Sequence, residues 1–306
     1  MTRFMLLPGL HRTRIDSATI QLGVDPETAL LLESPRPQVS ELLDRLETAM
    51  TEKQYYGAAR SLGLDDVDAG GLLRLLRHGR LLIDPAAFRS RDAAADRRAQ
   101  HHSETAALSL RRTDCPAELM SRRERRRIWV SGETDMVTEF TELLYRSGVG
   151  AVAAPGRRGG PPDLAVLLDP RQPADLVARS HARRDLPYLM VTTMDGAVNV
   201  GPLVIPGRTA CAACVEHHIT DVVPNWRRNG AAPAPLEAAL RGLAVATAAC
   251  QALQYLDGVT GQIESATIQL RAPFGLRHRE WTPHPACGCA PAIADRADRV
   301  RYVPAS

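Results

Sequence analysis

Lysine is almost missing from this chain. Lys53 is the only one in 306 residues, and arginine supplies every other basic side chain. Any mechanism that needs a catalytic lysine in the second half of the chain is therefore excluded. Long apolar runs are missing too: none approaches the roughly 18 to 20 residues that cross a bilayer, so no membrane contact is expected. Met1 to Gly9 lacks the apolar core of a secretory signal, which places the expected location in the cytoplasm. Charge of one sign is not in excess. A formal net charge of +3 does not mark a nucleic-acid binder. The remaining composition, 44% hydrophobic and 24% charged, is that of an ordinary globular protein, and the length fits about two domains.

What is present is a set of four paired thiols, Cys211-Ala-Ala-Cys214 and Cys287-Gly-Cys289. Thiolate is the soft ligand that tetrahedral zinc prefers, and two short-spaced pairs build a closed Cys₄ site. The Thr209 to Cys214 stretch reads as a turn that points both sulfurs one way, and Gly288 has the freedom to aim Cys287 and Cys289 at one ion. With four sulfur ligands no position is left for water, so the expected zinc is structural. A redox pair is the competing reading of one CxxC, and the second pair tells against it. Of the other two cysteines, Cys115 falls in a polar stretch, and Cys250 sits among alanines and leucines, where an inert buried thiol is expected.

Along the chain, residues 1–85 read as a compact α+β unit. Leu10 to Asp16, Thr19 to Leu22 and Ala29 to Leu32 are strand candidates, with hairpin punctuation at Gly23 to Glu27. Val39, Leu42, Leu43 and Leu46 mark one helix face. Thr51 and Gln54 fit a capping box, and a third helix over Val67 to His78 is expected to bury Leu72, Leu73, Leu75 and Leu76 and to stop at Gly79. Leu81 to Ile83 then extends, a pattern like a winged helix-turn-helix. Residues 86–125 are rich in Ala, Arg, Asp and Ser and read as a linker, with the arginines of 122–127 as a solvated face. From residue 126 to 306 the pattern becomes strand–helix alternation. Ile128 to Val130, Val149 to Ala154, Leu164 to Leu168 and Tyr188 to Thr192 are strand candidates, with helices between them at Gly132 to Tyr145 and Ala174 to Arg184. These predict a mostly parallel, doubly wound sheet. A long helix over Pro235 to Gly258 and a late antiparallel pair, Ala266 to Leu270 with Arg277 to Trp281, complete it.

In such a sheet a nucleotide sits at the first strand-to-helix turn, where glycines admit phosphate to backbone amides. Here that turn is Val130 to Met136. It keeps Gly132 but adds Glu133 and Asp135, and the second strand ends without an acid for a ribose. No ATP or dinucleotide is expected on these grounds. Asp163 and Asp169 flank the third strand as cap or turn residues.

The stretch from Gly201 through Cys211 and Cys214, with His217, Asp221 and Trp226, and the ending His284-Pro-Ala-Cys287-Gly-Cys289 resemble the ThiF/E1-like (ocin-ThiF-like) proteins of azoline-forming (TOMM) peptide clusters. The first 85 residues resemble the PqqD-like peptide-recognition element that precedes them. The resemblance implies a winged-helix-like α+β domain followed by a degenerate E1/ThiF-like Rossmann-type sheet carrying the zinc module. It further implies a protein that is not itself an enzyme. That protein would bind the leader of a ribosomally made precursor and present its core to a YcaO-type ATP-dependent cyclodehydratase, with a homodimer as one arrangement.

A leader would add as a strand beside Ala29 to Leu32 and facing the third helix, which nominates Leu30, Leu31, Leu32, Leu73, Arg74 and Arg77 as the peptide site. Core leucines and solvated arginines are the plain alternative. Two other functions compete. One is an active E1-like enzyme adenylating a peptide carboxylate. The other is a winged-helix DNA-binding regulator, which the leucine-rich third helix with few base-reading side chains disfavours.

Overall fold

The computed structural model describes residues 3–289 except 28, 34–35, 86–100, 102, 110–115, 157–159, 224–234, 260–262 and 274. Cys115, Trp226 and the arginines at 89, 91, 97 and 98 lie outside the described residues. The chain divides into two compact units, Met1–Ser121 and Arg122–Ser306.

The first unit holds two three-stranded sheets. Strands β2 (Arg12–Asp16), β3 (Thr19–Leu22) and β4 (Leu30–Glu33) form an antiparallel meander in chain order, which leaves β4 at an edge. The second sheet places β1 (Arg3–Leu6) between two short partners, β5 (Met50–Thr51) and β6 (Leu82–Ile83). Four-residue β1 and two-residue β5 are too short to show alternation, and neither is visible in the sequence pattern. Helices α1 (Pro37–Arg45), α2 (Glu52–Ser61) and α3 (Asp66–His78) bury one face each. The capping box forms as expected: the Gln54 amide N–H donates to Thr51 Oγ1 and the Thr51 N–H to Gln54 Oε1. Asp65 caps α3 by accepting from the N–H groups of Val67 and Asp68. The left-handed residue after α3 is Arg80 (φ 55°), not Gly79 (φ −73°). Leu22, Leu42, Leu43, Leu46, Leu73 and Leu76 fill the core, each worth about 1.5–3 kcal/mol when fully buried. Leu75, expected inside, is 40% exposed.

The second unit is built on one seven-stranded sheet, ordered β13-β12-β11-β10-β9-β7-β8. Its parallel half comprises β7 (Arg127–Gly132), β8 (Ala151–Ala153), β9 (Leu164–Leu168) and β10 (Tyr188–Met194). Strands β11 (Ala197–Val204), β12 (Ala266–Arg271) and β13 (Gly275–Glu280) continue it antiparallel. β9 is apolar at all five positions because both of its faces are covered. One face packs α5 (Thr134–Arg146) and α8 (Ala238–Leu256) over Val166, Leu168 and Val200. The other packs α6 (Ala174–Ala182) and α7 (Ala212–Val222) over Leu167, Tyr188 and Met190. Cys250, on α8, is exposed rather than buried.

The sequence pattern did not foretell β11 or α7. Gly201-Pro202 sits inside β11, where proline and glycine ordinarily argue against a strand. Gly201 is required there: its φ is +104°, and a Cβ would stand 2.4 Å from the Ala266 carbonyl oxygen. The arginine run also differs from expectation. It lies on and after α4 (Pro116–Arg125), and Arg123 is buried in a two-pronged pair with Asp257 (2.9 and 2.7 Å).

Candidate functional site

The four thiols converge. Sγ–Sγ distances are 3.5 Å for Cys211–Cys287, 3.2 Å for Cys214–Cys289 and 3.8 Å for Cys211–Cys214, and all four sulfurs lie within 4.8 Å of one another. Zn–S bonds of about 2.3 Å arranged tetrahedrally would set sulfurs about 3.8 Å apart, so this donor set fits a structural zinc. The knuckle is made by local structure: Cys211 is the N-cap of α7 and Cys214 lies in its first turn. The sulfurs shift one another's pKa values. Hydrogen bonds from Cys211 and then Cys289 hold Cys214 low, while its role as donor, together with burial, pushes Cys211 up.

Two side chains brace the knuckle. Tyr188 is buried, which pushes its hydroxyl pKa up, and its oxygen accepts from the Ala212 N–H at 3.1 Å. Tyr188→Phe should orphan that buried amide at a cost of about 1–3 kcal/mol. The expected readout is faster zinc loss to a chelator with the sheet intact; an unchanged off-rate would deny Tyr188 this role. His284 braces the second pair. The Ala286 N–H donates to His284 Nδ1 (3.1 Å), which places the ring proton on Nε2, where it meets Asp221 (2.9 Å). The Cys287 N–H donates to the His284 carbonyl (2.9 Å). His218, Asp221 and His284 also gather within 4.8 Å, but both His284 nitrogens are engaged in holding the Cys287–Cys289 loop.

The sheet's strand ends carry a second feature. Gly132 (φ +139°) brings the end of β7 so close to β9 that a Cβ would stand 1.8 Å from the Leu168 carbonyl oxygen. This tight turn delivers the N-terminus of α5, whose amides at Asp135 and Met136 donate to the Glu133 carboxylate. Arg241 of α8 stands alongside, 3.2 Å from Asp135 and 4.0 Å from Glu139. On the α6–α7 face of the sheet a cavity of about 370 Å³ opens at the carboxyl ends of β9 and β10, the region where open α/β sheets take ligands. Arg171, Thr192, Thr193, Asn199, Gly201 and Glu216 are among its lining. Asp169 (φ 55°) closes β9 and accepts from the Thr193 N–H at 2.9 Å, and Asp163 accepts from the Arg127 N–H while pairing with Arg126.

In the first unit, a groove of about 520 Å³ runs between β4 and α3. Leu31, Leu32, Val39, Leu64, Leu72 and Leu75 supply its apolar surface, with the Arg36–Asp68 pair (3.1 Å) at its polar part. Of the residues nominated from sequence, Leu31 and Leu32 line this groove, Leu30 is half-buried against the core, and Leu73 is inside the core. Arg77 binds Glu52 (2.8 Å) and stacks over the Phe4 ring. Arg74 is exposed on α3. Leu75, Gly71 and Asp68 were not nominated; an i, i+3, i+4, i+7 pattern through Asp68, Gly71, Leu72 and Leu75 is the signal that joins them.

No family profile and no curated protein matches the sequence. Solved structures do. A heterocyclase in complex with substrate and cofactor matches with a TM-score of 0.67 at 15% identity, covering 99% of this chain and 42% of its own. The heterocyclase TruD matches with a TM-score of 0.67 at 15% identity, over 100% of this chain and 45% of TruD. E. coli MccB with ATP matches with a TM-score of 0.65 at 14% identity, over 94% of this chain and 99% of MccB. This chain thus has the ThiF/E1-like fold that it shares with MccB and with the heterocyclases, and it spans less than half the length of the heterocyclases.

One expectation is overturned. A protein that is no enzyme and takes no ATP was expected from the missing glycines and lysine, yet MccB, a biosynthetic enzyme alike over nearly its whole length, carries ATP on this fold. Phosphate is met at such turns by backbone amides, which a helix N-terminus supplies even where the further glycines are missing. Those amides are present at α5, and what fills them is a single N-cap carboxylate worth about 0.5–2 kcal/mol.

Proposed function

We propose that this chain is an E1-like enzyme of ribosomal peptide modification, which holds a precursor peptide by its first unit and activates a peptide carboxylate with ATP in its second. The observation that carries the reading is the tight turn at Gly132 that opens the N-terminus of α5 at the carboxyl end of the parallel strands. Amides of α5 and the Arg241 guanidinium are disposed to meet a triphosphate once Glu133 turns out, and Arg171 and the threonines offer donors to a carboxylate. MccB solved with ATP and with its peptide substrate MccA supports both halves of the reading. For the leader, β4 is an edge strand beside an apolar groove, which suits β-augmentation with side chains entering at Leu31 and Leu75.

Nucleotide binding and exchange test it. Peptide-dependent exchange of pyrophosphate into ATP is the expected result, and Glu133→Ala should lower the KM for ATP several-fold while costing about 0.5–2 kcal/mol of stability through the lost cap. Absence of exchange with every carboxylate-ended precursor, joined to an ATP affinity that Glu133→Ala leaves unmoved, would refute adenylation here.

A second reading rests on a different observation. The heterocyclases contain this fold in 42% and 45% of their length. We therefore also propose that a YcaO-type cyclodehydratase partners this chain and receives the peptide core from it. Such a partner that cyclises its peptide no faster with this chain present would dismiss that arrangement.

A further inference from the structure

We propose that the arginine-bearing face of the β11–β13 half-sheet is a docking track for an acidic polypeptide segment, running from the sheet edge into the strand-end cavity. The register builds it. Thr192 on β10 stands opposite Asn199 on β11, Asn199 opposite Gln269 on β12, and Gln269 opposite Arg277 on β13. Because side chains alternate along a strand, these four form one row across a single face. Gln269 donates to Asn199 at 3.2 Å within it. The neighbouring rows bring Arg271, opposite Ala197 and Gly275, and Arg279, opposite Thr267, to that same face. At the inner end Thr192, Asn199 and Thr267 line the cavity.

Charge selects the partner. Arg271, Arg277 and Arg279 are all exposed, and no carboxylate among the described residues forms an ion pair with any of them. Arg279 lies over the Trp281 ring, 4.1 Å from its centre, and Trp281 in turn donates to Thr267 Oγ1. A charged edge strand by itself keeps sheets from pairing. Here, however, Arg271 belongs to β12, one strand in from the edge, while Leu276, His278 and Glu280 occupy the opposite face of β13. The cations are thus confined to the face that leads to the cavity. Arginine forks suit carboxylates in pairs, and three spaced over two strands suit an extended acidic segment. Among the described residues β13 has one strand partner, so its outer edge also offers backbone groups to such a segment.

The inference rests on the peptide-activating reading for what the cavity does, but the docking is measured separately. Fluorescence anisotropy on the full chain would compare an Asp/Ser peptide, its Asn/Ser counterpart and a single-stranded RNA of matching charge. The Asp/Ser peptide should bind about tenfold tighter than the Asn/Ser one, and R271S/R277S/R279S should erase about that factor. R271S/R277S, which keeps the Arg279–Trp281 stack, should lose part of it with thermal unfolding unchanged. Equal binding of the two peptides, indifference to both variants, or tighter binding of the RNA would overturn the track. Charge-selective binding without any pyrophosphate exchange would uphold the track and sink the activation reading instead.

Discussion

Cys287→Ser is expected to strip the protein of its one equivalent of zinc and to cause a larger loss of stability than any single core substitution. Cys287 Sγ stands 3.5 Å from that of Cys211, the N-cap of α7, so one thiol couples the loop after β13 to a helix that covers the sheet. In small zinc domains the apparent binding free energy of about 10–16 kcal/mol is folding free energy. Here the sheet has its own core in Val166, Leu168, Val200 and their neighbours, so the parallel strands should survive the variant. What should loosen is the α6–α7 side, where Cys211, Cys214, Tyr188 and Trp281 pack together. Elemental analysis should fall from about one zinc per chain to none, with hydrogen exchange accelerated over 211–222 and unchanged over 164–168. Full zinc content in the purified variant would remove Cys287 from the ligand set.

The zinc cluster was legible because its signal is covalent chemistry at fixed spacing, which survives any uncertainty about the elements between. The parallel strands were legible because burial on both faces makes β9 a continuous apolar run. The Thr51–Gln54 capping box was legible because it is a local exchange of hydrogen bonds. Other features depend on contacts that no short window contains. β11 hides behind Gly201-Pro202, which is tolerated because Gly201 lets the Ala266 carbonyl approach. Leu75 reads as core by its leucine neighbours, yet it faces the groove because α3 has more apolar positions than its buried stripe needs. The acidic turn at Glu133 reads as a block to phosphate, whereas in three dimensions its carboxylate is a cap with Arg241 close by. In each case the residue type was plain and its surroundings in three dimensions were not.

The same limit governs Arg123, and it sets the second large effect. Composition places Arg123 in a solvated basic run, but the folded chain buries it with Asp257, both side chains only 4% exposed. Nε and Nη2 donate to the two carboxylate oxygens, and Nη1 donates to the Ser147 carbonyl at 3.0 Å. The pair ties α4 to the turns that end α5 and α8, across a sequence separation of 134. Taking two charges out of water is costly, so such a pair adds little over a well-packed apolar alternative, but removing one partner strips the other, still buried, of this two-pronged match. Arg123→Ala should therefore cost about 3–5 kcal/mol, while Arg123→Met combined with Asp257→Leu should recover most of that loss. A double-mutant cycle by chemical denaturation gives the coupling directly. If Arg123→Ala falls within about 1 kcal/mol of the wild type, as exposed ion pairs do, the burial of this pair is not a determinant of the fold. If the double variant is as unstable as the single, the determinant is the shape of the two side chains together with the Ser147 contact, and the charges are incidental to it.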